Sequence, residues 1–185
     1  MHWTIRTFQT FFVLLAISGC SVSGTQDDNI EKRSLGTKLD DNKSAKLIMQ
    51  NLKAANPEIS SMNLAVTVFN GVALLTGQAN SETVKNQAGA TAEQIRHIAK
   101  VHNEIEVKGP TARLVRSSDA LLKAKIKLIM GMDEAVDASR IKVVVENGVV
   151  YLMGLLTRDE ASAAVALTRN IFGVQKIVQA FEFLN

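Results

Sequence analysis

The alternation of hydrophobic and polar positions forms one pattern that the chain writes twice. Val66-Thr-Val-Phe-Asn-Gly-Val-Ala-Leu-Leu-Thr-Gly77 returns 77 residues later as Val143-Val-Val-Glu-Asn-Gly-Val-Val-Tyr-Leu-Met-Gly154, with Asn70-Gly71 and Asn147-Gly148 in register. Each phrase is a pair of short apolar runs around Asn-Gly, a dipeptide that tolerates the positive φ required at both positions of a type I′ hairpin turn. Strands are expected at about 63–69 and 72–77, and again at about 140–146 and 149–154. Gly77 and Gly154 close the second strand of each copy, where glycine signals a bulge or a close backbone approach; both are read as structural glycines.

Helical spacing surrounds both hairpins. A short helix at about Ser44–Ala54 ends at Asn56-Pro57, since proline disfavours helical geometry in the residue before it. A second helix, about Ser81–Ala99, carries Val84, Ala88, Ala92, Ile95 and Ala99 on one face, and a last strand runs through Val101, Asn103, Ile105 and Val107. The order then repeats: a helix at about Asp119–Met130 capped by Ser117 or Ser118, the second hairpin, a helix at about Arg158–Phe172 ended by Gly173, and a strand over Val174–Leu184. With a one-residue gap, His97–Val101 aligns with Gly173–Ile177. The reading is α+β: two α-β-β-α-β units, each with two helices on one face of a three-stranded mixed sheet. The domains are 44–108 and 118–185, joined by a linker at 109–117.

The second hairpin is apolar on both faces. Ile141, Val143 and Val145 share a face with Val150, Leu152 and Gly154, yet the other face carries Val144, Val149, Tyr151 and Met153. If helices cover only one face, the other is too apolar to leave in water. Packing of the two domains on each other, or a partner-protein surface, would cover it.

Composition narrows the function. The formal charge is +3, and removal of residues 1–19 takes away only Arg6, leaving 20 basic against 18 acidic residues, or +2. Nucleic-acid binding is not expected, because phosphate neutralisation needs a concentrated basic face. The single cysteine, Cys20, follows the apolar run Phe11–Ile17 and the residues Ile17-Ser18-Gly19. The run is too short to span a bilayer and has the proportions of a signal-peptide core. It resembles a bacterial lipobox, with 1–19 as the signal peptide and Cys20 lipidated at the mature N-terminus. At about 0.8 kcal/mol per buried methylene, three acyl chains make a nearly permanent anchor. Ser21 rather than aspartate after the cysteine points to the outer membrane. Residues 20–43, rich in small and polar side chains, read as a lipidated flexible tether.

Chemistry of the catalytic kind is not expected. His97 and His102 lack metal-ligand spacing, Asp159-Glu160 sits where a helix macrodipole favours acids, and no phosphate loop, nucleophile elbow or HExxH occurs. The chain is read as non-enzymatic, without cofactor or metal.

The functional candidate is the first helix of the second unit. Leu122, Ile126, Ile129 and Met130 form a core stripe, while Leu121 and Leu128 lie together about 100° from its centre, with Lys125 between them. From 113 to 127, Arg113, Arg116, Lys123, Lys125 and Lys127 stand against Asp119, a local charge of +4. An apolar ridge beside lysines suits an anionic lipid surface; a helix flank packed on the other domain is the plainer alternative.

The Val-x-Val-x-Asn-Gly-Val pattern with its following glycine, then Gly173-Val174, resembles the BON domain (bacterial OsmY and nodulation). Two copies behind a lipobox resemble the dual-BON outer-membrane lipoproteins, as do Arg33–Asp41, Asn103-Glu-Ile105, Val145–Gly148, Leu152–Leu155 and Ala180–Phe183. The resemblance implies a periplasm-facing, lipid-anchored outer-membrane protein. Its second domain would bind anionic phospholipid such as phosphatidylglycerol or cardiolipin through Ser118, Asp119, Leu121, Leu122, Lys125 and Leu128. It implies a role in envelope integrity and at division sites. Leu121 stands where the family has a membrane-inserting tryptophan, and Leu122 where it has isoleucine. The alternative is an adaptor that docks on an envelope protein.

Overall fold

The computed structural model describes residues 34–109 and 113–184, so Cys20, the signal peptide and the first part of the expected tether lie outside the described residues. The first unit comprises α1 (Leu35–Ala55), β1 (Leu64–Phe69), β2 (Val72–Ala79), α2 (Glu82–Glu93), β3 (Lys100–Asn103) and β4 (Glu106–Val107). The second comprises α3 (Arg113–Met132), β5 (Ile141–Glu146), β6 (Val149–Leu156), α4 (Arg158–Arg169) and β7 (Lys176–Phe183). In each unit the hairpin strands pair antiparallel and the last strand adds parallel to the second, so both sheets are mixed with β2 or β6 in the centre. The fold is the expected α+β pair.

Several boundaries depart from the sequence reading: α2 ends at Glu93 instead of Ala99 and α4 at Arg169 instead of Phe172. Helix α1 begins at Leu35, capped by Ser34, whose Oγ accepts from the Thr37 amide at 3.0 Å; residues 35–43 are therefore helical and not tether. Its early turns show no apolar periodicity because Leu35 and Leu39 face water, and they are held instead by Asp41. Likewise α3 begins at Arg113, so neither Ser117 nor Ser118 caps it and the end of the expected linker is helix. The last strand of the first unit is broken at Glu104-Ile105: the Asn103 side chain turns inward, its Nδ2 donating to the Lys85 carbonyl at 2.7 Å. Gly89 makes room for it, since a Cβ there would lie 2.9 Å from Asn103 Nδ2.

The helices cover one face of each sheet. Ile48, Leu52, Leu75 and Ala88 are buried in the first core. Ile126, Met130, Val143 and Leu152 are buried in the second, with Ile129 packed against them, which places the stripe of α3 as its spacing predicts. The other face of each sheet belongs to a third cluster shared by both domains: Phe69, Val72 and Leu74 meet Tyr151, Met153 and Ala180, flanked by Val144, Val149 and Val178. The apolar second face is thus covered by the partner domain.

A polar rim closes this sheet-on-sheet contact. Glu146 accepts from Gln78 Nε2 at 2.7 Å and Asn63 Nδ2 at 3.4 Å. Asn70 Nδ2 donates to Glu182 at 2.8 Å, and its repeat counterpart Asn147 donates to Glu106 at 3.4 Å. Each turn asparagine therefore serves twice, supplying a positive φ (52° and 51°) and reaching a carboxylate of the other domain.

The two structural glycines are unequal. Gly77 has φ +110°, and an added Cβ would stand 1.8 Å from the Asn63 carbonyl oxygen, so no other residue fits. Gly154 has an ordinary φ, with its nearest such contact 3.0 Å from the Arg140 oxygen.

His102 pairs with Leu74 in the register of β2 and β3, at the position that Val178 holds beside Tyr151. Its Nε2 is buried with no hydrogen-bond partner among the described residues. Burial, then Lys100, pushes its pKa below the usual histidine value, against an opposing pull from Glu104. A base whose folded pKa is lowered binds fewer protons in the native state, so its contribution to stability falls as pH drops through the unfolded value near 6.5. We expect His102→Val to weaken the acid-side loss of stability, measured as unfolding midpoints between pH 8 and 5; parallel curves for both proteins would refute this. Tyr151→Lys should cost several kcal/mol in urea unfolding, because it buries an unpaired charge between the sheets.

Candidate functional site

An aspartate of the first helix organises each hairpin turn. Asp41, 5% exposed, accepts from the Asn70 amide at 2.8 Å and the Gly71 amide at 3.0 Å. Asp119, 7% exposed, accepts from the Asn147 and Gly148 amides at 2.8 and 2.9 Å. The equivalence supplies a register for comparing the two surfaces. Two residues beyond each aspartate stand Lys43 in the first domain and Leu121 in the second; six beyond stand Leu47 and Lys125.

The six residues expected to bind lipid divide on this geometry. Leu121 is 73% exposed and Leu128 59%, on a ridge of α3 turned away from the core, with Lys125 exposed between them. Ser118 is exposed near the start of the same helix. Asp119 is occupied by the turn and is not available to a headgroup. Leu122 is 8% exposed and belongs to the core, touching the surface only where it underlies Gly173. The aspartate's role was hidden because its partners lie 28 and 29 residues away in the chain.

A cleft of about 740 Å³ lies beside this ridge. Ser118, Leu121 and Lys125 of α3 form one wall, Phe172 and Gly173 of the α4–β7 loop another, with Asn147-Gly148 and Lys108 also lining it. Lys108 comes from the end of the first domain, where it pairs with Glu106. Glu106 also accepts from Asn147, so the cleft is built across the domain junction. Its lining brings together two lysines, the Ser118 hydroxyl, the turn-bound Asp119 carboxylate and apolar side chains.

Three contributors escape the sequence reading. Met132, 74% exposed, extends the ridge beyond Leu128. Lys108 reaches the cleft only through the domain packing. Phe172, 92% exposed, lies beyond α4, which ends at Arg169 and not at Phe172 as its spacing predicts. The alignment of Gly173 with His97 carried a signal, since it sets Phe172 against Arg96.

Comparison with known proteins matches residues 40–109 and 118–185 to the BON domain. The chain is 31% identical over 156 residues to the outer membrane lipoprotein DolP of Haemophilus influenzae, covering 84% of this chain and 80% of that one. It is 28% identical over 155 residues to the 21 kDa hemolysin of Actinobacillus pleuropneumoniae, with the same coverage of 84% and 80%. Among solved structures, the C-terminal domain of CdsD, a structural protein of the type III secretion system of Chlamydia trachomatis, covers 74% of this chain and 64% of its own. The TM-score there is 0.32 at 14% identity, too slight to carry an argument.

Losing a carboxylate that two partly or fully buried turn amides require costs about 2 kcal/mol. Asp119→Ala should destabilise the protein by that order in urea unfolding, and Asp41→Ala by a similar amount. Unaltered midpoints would remove the turn clamp as a source of stability.

Proposed function

The chain belongs to the BON-domain family and is an outer-membrane lipoprotein, and from that premise we propose that its second BON domain binds anionic phospholipid through the exposed ridge of α3. The observation that carries this is Leu121, 73% exposed beside Lys125 on a helix whose opposite stripe is fully engaged in the core. A folded monomer gains nothing from holding large apolar side chains in water. A helix lying in the headgroup zone recovers the area of Leu121, Leu128 and Met132. Each lysine near an anionic surface adds about 1 kcal/mol. Phosphatidylglycerol and cardiolipin fit, since both present phosphate without a compensating cation.

On this reading Cys20 supplies permanent attachment and the ridge supplies lipid selection. The two together support envelope integrity, with enrichment where anionic lipid gathers, including division sites. The protein is non-enzymatic and uses no cofactor. The adaptor reading loses one of its two candidate surfaces, because the apolar sheet face is buried between the domains; it keeps only the α3 side.

The test is co-sedimentation of the unlipidated chain with phosphatidylglycerol or cardiolipin vesicles, comparing wild type with Leu121→Glu. The substitution removes apolar burial and adds a repelled charge, so affinity should fall at least about tenfold. Equal sedimentation of both would remove Leu121 from the contact. Absence of binding to any anionic vesicle would favour a protein partner.

A further inference from the structure

Phe172 is held out of the fold by a rigid turn. The Ile171 amide donates to the Thr168 carbonyl at 3.1 Å, and the Val174 amide donates to the Ile171 carbonyl at 3.2 Å. Ile171, 5% exposed, is buried in the second core, and Val174 packs against it, so both ends of the turn are anchored. Gly173 takes φ +104°, a left-handed conformation that lets the chain reverse under the ring. With its neighbours pinned on each side, Phe172 points outward and stands 92% exposed.

The first domain builds the same turn with different chemistry. The Ile98 amide donates to the Ile95 carbonyl at 3.1 Å, and His97 holds the left-handed position at φ 72°. The residue at the tip is Arg96. The scaffold therefore does not require an apolar tip, since a polar side chain occupies it in the first domain. Beside the second domain's turn, the exposed ring shares a cleft with an exposed leucine, Leu121, and two lysines, Lys125 and the first domain's Lys108.

Resting on the lipid-binding reading above, we infer that Phe172 is a second membrane-inserting element, set on the α4–β7 loop and acting with Leu121 as a two-pronged wedge. The prongs come from different elements, so the wedge fixes the orientation of the domain on the bilayer, which a single helix face leaves free to roll. Phenylalanine is favourable in the hydrocarbon region as well as near it, so the ring passes below the headgroups. Lys108 and Lys125 lie in the same cleft, at the level of the phosphates. Charge complementarity selects the occupant: Lys125, and Lys108 in its exposed pair with Glu106, line the same cleft as the two apolar prongs and match an anionic bilayer surface, whereas a purely apolar protein groove would bury both cations.

The only tryptophan of the chain is Trp3, within the expected signal peptide, and the two cores draw only on residues after 40. The soluble chain 21–185 is thus a tryptophan-free background that keeps both domains. Phe172→Trp and Leu121→Trp, made separately, place one reporter on each prong. With phosphatidylglycerol vesicles carrying acyl-brominated lipid, both should shift to the blue and be quenched. A response from Leu121→Trp alone would overturn the role of Phe172 and leave the helix reading standing. Silence from both would overturn the lipid reading as a whole and leave a protein partner as the occupant. Phe172→Ser, which removes the ring without touching the core, should weaken vesicle binding at least about tenfold with an unchanged unfolding midpoint; wild-type affinity would equally overturn the wedge.

Discussion

The contact between the two sheets is the constraint on which the rest of the molecule depends. Each unit has helices for only one face of its sheet, and small domains of this size bury too little surface to leave the other face bare. Setting the bare faces together buries Phe69, Val72 and Leu74 against Tyr151 and Met153. The turn asparagines then reach across the seam, Asn70 to Glu182 and Asn147 to Glu106. Because β7 runs parallel to β6, Glu182 lies at the end of the second sheet remote from its own turn. The hairpin turn of one domain therefore meets the open end of the other, and the two helical surfaces point outward on opposite sides.

That arrangement explains why duplication is compatible with a specialised surface. The residues that the repeats share are the ones that make the fold: the Asn-Gly turns, the aspartates that clamp them, and the Ile-x-x-Ile or Ile-x-x-Val turn after the second helix. The outward positions hung on this frame are unconstrained by it. Lys43 becomes Leu121, Leu47 becomes Lys125 and Arg96 becomes Phe172 without touching a buried contact. The second domain sets Leu121 and Phe172 around one cleft at no cost to either core.

Much of this was legible in the residues. Period-two alternation located both hairpins, helical spacing separated Ile126 and Met130 from Leu121 and Leu128, and excess apolarity on the second face of the second hairpin anticipated the domain seam. What escaped depends on contacts distant in sequence. The resemblance assigns Asp119 to the lipid site, and its clamp on the turn stays hidden because its partners lie 28 and 29 residues on. Leu35–Asp41 looked like tether because that part of α1 rests on one carboxylate rather than on an apolar stripe. Phe172 looked like the end of a helix. Leu122 satisfied both the core stripe and the family's site pattern, and only packing assigns it to the core.

The wet side of the second domain also bears on how a permanently anchored protein can be selective. Acyl chains hold a lipoprotein to the bilayer wherever it diffuses, so a second, weak contact decides where it dwells rather than whether it binds. Such a contact works best when its apolar area is modest and its charge matters. An all-apolar ridge would bind any bilayer, and a lysine cluster alone would be screened within about 8 Å at physiological ionic strength. On the lipid-binding proposal, Leu121 and Phe172 around Lys125 and Lys108 combine the two, so that burial of the prongs becomes favourable chiefly where the surface charge offsets desolvation of the cations. Lys108 is paired with Glu106, which also holds Asn147 across the seam. On that proposal, an anionic headgroup competing for Lys108 pulls on Glu106, which helps lock the domains together, so the lipid surface and the domain junction share one electrostatic network.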